Sequence, residues 1–324
     1  MGVRWAEFAV LEPVMAEAGR KLLYQFDIGL GYLATVRADG APRIHPVCPI
    51  ISDGGLYGLI IPGPKQADLR RDGRFSIHAC NPQDRDDEFT VSGAARLADE
   101  STEAVRAHSL RRPALSARPT KPASSSWSTA PSSPPIVLAT KAGRRPPTSH
   151  GGSTSGRSLH LTTKKGTAPM STWADFELDA PALAAAGRQL LFQAGPGYAF
   201  LGTVRKDGGP RIHPICPVIA DVRLYAFIVN IGPKYRDLLR DGRFAMHAFP
   251  APQGGEEFYI TGTAQPVDEP GIRAGVVQST GGMLGTHDFE ALFTFDIEAA
   301  LHTRWEGWGG PAPWPTYAKW KAPA

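Results

Sequence analysis

Gly31-Tyr32-Leu33-Ala34-Thr35-Val36-Arg37-Ala38-Asp39-Gly40-Ala41-Pro42-Arg43-Ile44-His45-Pro46 runs an apolar, β-branched segment into an Asp39-Gly40 turn signal and out into a second short segment. That pattern predicts two strands about a turn. Parts of it return downstream. Thr35-Val36-Arg37 recurs as Thr203-Val204-Arg205, and Pro42-Arg43-Ile44-His45-Pro46 recurs unchanged as Pro210-Arg211-Ile212-His213-Pro214. Outward from there the correspondence holds at an offset of 168 or 169 residues. Upstream, Trp5, Ala6 and Phe8 match Trp173, Ala174 and Phe176, and Gly19, Arg20, Leu22 and Leu23 match Gly187, Arg188, Leu190 and Leu191. Downstream, Gly63-Pro64-Lys65 matches Gly232-Pro233-Lys234, Asp72-Gly73-Arg74-Phe75 matches Asp241-Gly242-Arg243-Phe244, and Glu88-Phe89 matches Glu257-Phe258. The chain is a tandem duplicate.

Each copy reads the same way. Apolar side chains fall at helical spacing over 12–26 and 180–193, and short β-branched stretches occupy about 32–37, 42–51, 56–61, 74–80 and 88–97. A second short helix is predicted from Pro64 through Leu69 to the Asp72-Gly73 stop. Many short strands with two or three helices predict a mainly β fold with a small barrel in each copy. The 324 residues suit two domains at roughly 150 residues each. We place them at 1–106 and 170–324, with an irregular segment over 107–169 between them.

That middle segment changes character: Ser, Pro, Thr, Arg and Gly dominate and hydrophobic periodicity vanishes. It reads either as a linker or as the product of a frameshift, and the second reading is favoured. Ser124–Pro134 can be encoded so that a one-base shift spells Leu-Phe-Glu-Leu-Val-Asp-Arg-Ala-Phe-Ile-Ala, which parallels Leu292-Phe293-Thr294-Phe295-Asp296-Ile297-Glu298-Ala299. Pro146–Ser153 in the same shifted frame can spell Pro-Thr-Tyr-Leu-Ala-Arg-Trp-Lys, which parallels Pro315-Thr316-Tyr317-Ala318-Lys319-Trp320-Lys321. Met170 then looks like the start of a second, adjacent gene joined by read-through. The physical expectation is a first copy that lacks its last strand and leaves a sheet edge unpaired, beside a complete second copy.

Composition narrows the function. At 42% hydrophobic and 20% charged residues the chain is of globular type, and no apolar run approaches the roughly 20 residues of a membrane-spanning helix. Neither a signal peptide nor a myristoylation pattern begins the sequence, and three cysteines without CxxC spacing point to neither a disulfide framework nor a zinc site. A reducing cytoplasm is expected. Residues 101–169 hold 11 Lys/Arg against one acid, so the rest of the chain is mildly acidic although the total is +4. The basic charge lacks interleaved aromatics on a folded surface, and nucleic-acid binding is not expected as the main role.

Several repeated residues could carry chemistry. Arg43 and His45 lie two apart on one strand face, as do Arg211 and His213, and an Arg fork beside a His suits an anionic ligand held against the sheet. The alternative is an Arg paired with a nearby acid and a His satisfied within the barrel. Lys65 and Lys234 follow Gly-Pro at the mouth of a predicted helix, where backbone N–H groups favour phosphate; the alternative is a solvated lysine. His78 and His247 read as core or interface histidines, and Cys48 and Cys216 as buried structural thiols. Dinucleotide, P-loop, zinc-protease and serine-hydrolase motifs are missing from the repeated unit.

The run 31–46, followed by Gly63-Pro64-Lys65, Asp68-Leu69-Arg70-Arg71-Asp72 and Arg74-Phe75, resembles the pyridoxamine 5′-phosphate oxidase-like family of flavin-binding split β-barrels. The resemblance covers about 30–99 in the first copy and about 197–304 in the second. It implies two split barrels with FMN between subunits, here as a pseudo-dimer within the chain or as a homodimer. It implies Arg43 and Lys65, or Arg211 and Lys234, as phosphate ligands, with His45 or His213 near the flavin. The C-terminal substrate residues of the true oxidases have no match, so vitamin B6 oxidation is not implied. The resemblance thus points to an FMN-dependent oxidoreductase acting on an unidentified small molecule, with catalytic residues unassigned and no metal ligand. Its rivals within the fold are an F420-dependent reductase and a flavin or haem carrier without turnover, the recurring histidines being the axial-ligand candidates for haem.

Overall fold

The computed structural model describes residues 3–25, 29–52, 54–58, 60, 62–80, 87–98, 136–140 (backbone only), 170–193, 195, 197–250, 254–307 and 314–323. The first copy consists of α1 (Trp5–Leu11), α2 (Pro13–Leu23), β1 (Gly31–Val36), β2 (Pro42–Val47), β3 (Pro49–Ser52), β4 (Gly55–Gly58), α3 (Pro64–Arg71), β5 (Arg74–Cys80), β6 (Glu88–Leu97) and β7 (Ile136–Thr140). The second repeats it as α4 (Trp173–Asp179), α5 (Pro181–Leu191), β8 (Ala199–Val204), β9 (Pro210–Ile215), β10 (Pro217–Ala220), β11 (Arg223–Val229), α6 (Pro233–Arg240), β12 (Arg243–Ala248) and β13 (Glu256–Pro266). It then adds α7 (Pro270–Ser279), β14 (Glu290–Glu306) and β15 (Trp314–Lys321).

The fold is mainly β, two split β-barrels. The first sheet runs β2-β1-β5-β6-β7-β4-β3, and the second runs β9-β8-β12-β13-β14-β11-β10 with β15 appended to β14. Every pairing is antiparallel. The strands expected from periodicity are all present, except that the 42–51 stretch breaks at Cys48 into two. The helix expected over 12–26 starts one residue later, at Pro13. A proline fits there because the first helical N–H has no partner to lose. A separate seven-residue helix precedes it, and Trp5 and Phe8, three apart, bury on one face of that turn.

The expected open edge in the first sheet is filled. Ile136–Thr140 pairs with β4 through Leu56↔Leu138 and with β6 through Ala95↔Leu138, the position that Phe295 of β14 holds against Leu224 and Ala264 in the second copy. An apolar, β-branched run of five residues therefore supplies the missing pairing, and the segment placed between the domains contributes one strand to the first. Among the described residues it spans five positions, where β14 spans seventeen. The remaining residues on which the frameshift reading turns lie outside the described residues.

Each barrel closes over its own core, in the first copy around Phe75, Ile77, Leu33 and Phe89, and in the second around Phe244, Phe258, Phe293 and Phe295. The recurrence of a glycine in α2 and α5 has a steric cause. A Cβ on Gly187 would lie 2.4 Å from the ring of Phe258, and one on Gly19 would lie 2.5 Å from Phe89. Gly187→Ala is expected to destabilise by about 1–2 kcal/mol, the overpacking penalty outweighing the helix propensity gained. Chemical denaturation checks it, and an unchanged midpoint would contradict that account.

A third apolar cluster lies between the copies: Tyr32, Ala34 and Ile44 from one meet Phe200, Ile212, Ala245 and Phe249 from the other. Tyr32 and Phe200 are equivalent positions, and their rings stack on each other at 4.0 Å. Polar bonds repeat the symmetry, Arg243 donating to the Asp39 carbonyl at 2.6 Å and Arg74 to the Asp207 carbonyl.

Candidate functional site

Two related sites form where the copies meet. On β2, alternation buries Ile44 in the inter-copy cluster and turns Arg43 and His45 to the opposite side, and β9 treats Ile212, Arg211 and His213 alike. The α3 start brings Lys65 beside them; its Nζ donates to the Pro46 carbonyl at 3.5 Å, as Lys234 does to Pro214 at 3.2 Å. Each predicted triad, Arg43-His45-Lys65 and Arg211-His213-Lys234, is thus assembled from one copy.

Both arginines do pair with an acid. Asp68 is almost fully buried and accepts from Arg43 Nε at 2.6 Å, Thr35 Oγ1 at 3.2 Å and Arg71 Nη1 at 3.2 Å. Asp237 repeats the arrangement with Arg211 Nε at 2.5 Å, Thr203 Oγ1 at 3.3 Å and Arg240 Nη2 at 3.0 Å. The pairing uses only Nε. Among the described residues the Nη nitrogens of Arg43 and Arg211 make no hydrogen bond, so the acid orients each fork without occupying it.

The wall opposite each triad comes from the other copy. His247, Glu257 and Tyr259 face the first triad, and His78, Glu88 and Thr90 face the second. His45 stacks on the Tyr259 ring at 5.8 Å and 20°. Glu257 accepts from Trp305 Nε1 at 2.8 Å and lies 3.7 Å from His247 Nε2. On the other side His78 Nδ1 meets Thr90 Oγ1 at 2.7 Å, and its Nε2 lies 3.8 Å from Glu88. His78 and His247 are interface histidines, set edge-on to Phe200 and Tyr32 respectively.

Burial governs the electrostatics. It pushes His213 down to about 3, helped by Lys234, Arg211 and His78, and His78 down to about 4, helped by Lys234. It also holds His45 well below the usual imidazole range, with Lys65, Arg43 and His247 adding to the effect. These imidazoles are neutral at pH 7, and Nε2 of His78 and of His213 is buried without a hydrogen-bond partner among the described residues. Burial likewise lowers both lysines, against the pull of Glu257 on Lys65 and of Glu88 on Lys234.

Two expectations change. Cys48 is exposed and Cys216 half-buried, so neither is a buried thiol. Each occupies the one-residue break between consecutive strands, where alternation no longer directs a side chain inward. Asp68 and Asp237, the acids that hold the arginines, were not among the expected site residues. Their signal was present: an acid retained at the repeat offset, three residues before Arg71 and Arg240 on one helix face. Tyr259 and Trp305 carried no such signal.

No family model and no curated protein matches the chain. Solved structures do. One described as a heme binding protein from Mycobacterium smegmatis is 13% identical, at a TM-score of 0.34, over 43% of this chain and 58% of that one. A Clostridium acetobutylicum protein related to general stress protein 26, described as of the pyridoxinephosphate oxidase family, is 10% identical at 0.34, over 42% and 92%. One described as an F420 reductase is 19% identical at 0.29, over 35% and 94%. Each covers less than half of the present chain. No helix among the described residues is long and apolar enough to cross a membrane.

Proposed function

We propose that the chain is an FMN-dependent oxidoreductase of the pyridoxamine 5′-phosphate oxidase-like type, acting on a small molecule in a reducing compartment, with the two copies of one chain forming the functional pair. The observation that carries this reading is the convergence of an Arg fork and a Lys from one copy on a wall from the other. The donor set fits a phosphate: Nη nitrogens with no hydrogen bond among the described residues, and an ammonium bonded to a backbone carbonyl. Arg43 and Lys65, or Arg211 and Lys234, would hold the phosphate and so orient the ring system. His45 or His213, neutral at pH 7, would offer it one donor and one acceptor. Apolar packing around Tyr32 and Phe200 would limit water. FMN, when bound, supplies the hydride chemistry.

A haem carrier is the second reading, favoured by the buried, neutral Nε2 atoms of His78 and His213, which make no hydrogen bond among the described residues. Visible spectra of the purified chain after incubation with FMN, F420 or haemin and removal of free ligand separate the readings. We expect a bound oxidised-flavin spectrum. The double variant Lys65→Ala, Lys234→Ala is expected to weaken FMN at least tenfold, about one charge-assisted hydrogen bond, with its far-UV circular dichroism unchanged. Undiminished affinity in that variant would contradict the phosphate assignment.

A further inference from the structure

We infer that the two interface sites have diverged, and that the one built from Arg43, His45 and Lys65 of the first copy with Tyr259, Glu257 and Trp305 of the second takes a single flat, anionic ligand per chain. The inference rests on the cofactor reading above and adds to it which site is used. In equivalent registers Tyr259 pairs with His247 where Thr90 pairs with His78, so one wall presents an aromatic face and the other a hydroxyl. The Tyr259 ring stacks on that of His45 at 5.8 Å, so this wall sets an aromatic pair beside the cations. Thr90 offers none; its Oγ1 holds His78 Nδ1.

The enclosure differs in the same sense. Glu257 is tied to Trp305 near the end of β14 and its side chain is 25% exposed, whereas Glu88 is 47% exposed. Among the described residues the first copy has only the five-residue β7 in the place of β14. The triad of the first copy therefore faces a wall that carries Tyr259 and the Glu257–Trp305 pair, and the triad of the second copy faces Thr90 and Glu88.

Titration of the full chain with FMN tests this, with haemin and F420 run alongside and with the variants Lys65→Ala, Lys234→Ala and Tyr259→Thr. The expected result is one FMN per chain, weakened at least tenfold by Lys65→Ala and by Tyr259→Thr and less than threefold by Lys234→Ala. Two equivalents of equal affinity, or equal losses in the two lysine variants, would overturn the inference while the flavin reading stood. Failure to bind FMN, with haemin or F420 binding once and responding to Lys65→Ala alone, would overturn the flavin reading and support the asymmetry. No binding of any of the three would overturn both.

Discussion

Acidification from pH 7 to pH 5 is expected to cost the folded chain on the order of 4 kcal/mol through two histidines. In the unfolded chain His78 and His213 titrate near 6.5, as free imidazoles do. In the folded chain burial, with Lys234 facing both, holds them at about 4 and about 3, and the carboxylate of Glu88 beside His78 does not compensate. The unfolded state binds more protons between the two sets of values, so stability is fully present above about 6.5. It is lost as pH falls toward the folded values. At pH 5 each histidine contributes about 2 kcal/mol of that loss. Urea midpoints measured at pH 7 and pH 5 read the effect, and His78→Gln should remove about half of it. Superimposable denaturation curves at the two pH values would show that these imidazoles are hydrated and charge within the fold.

Asp237→Ala should destabilise by about 2–3 kcal/mol, because a buried carboxylate that accepts three hydrogen bonds is removed while its arginine partners stay partly solvated. The carboxylate accepts from Arg211, Arg240 and Thr203, and nothing apolar could replace it without stranding the two guanidinium groups. Thr203 lies on β8, so α6 would lose that tie to β8 as well as its ion pairs, while the Arg240 bond to the Val204 carbonyl remains. Asp237→Asn keeps the shape and an acceptor and should cost less. Asp68→Ala should behave in the same way in the first copy, where Arg43, Arg71 and Thr35 make the matching contacts. A loss below about 1 kcal/mol in Asp237→Ala would mean that water reaches and satisfies the arginines.

The two predictions draw on groups of different legibility. Arg43, His45, Lys65 and their repeats stand out in one dimension because the duplication marks them, and strand alternation places Arg and His on one face. That Arg43 is oriented by Asp68 was also written, in the helical spacing of Asp68 and Arg71, but spacing alone names no partner on a distant strand. Cys48 shows the limit from the other side. The usual burial of a free thiol assigns it inward, yet β2 ends at Val47 and β3 begins at Pro49, so Cys48 falls in the break between them.

By itself the sequence determined the duplication, most strand positions, the two longer helices of the repeat and the mainly β class, because these follow from local periodicity, turn residues and steric preferences within a few positions. It also marked the two cationic triads. Only the tertiary structure decided that Ile136–Thr140 completes the first sheet, that Asp68 and Asp237 hold the arginines, and that Tyr259 rather than a second threonine lies against His45. Those contacts join residues far apart in the chain. Side-chain packing between the two copies selects them, and that selection leaves no period in the sequence.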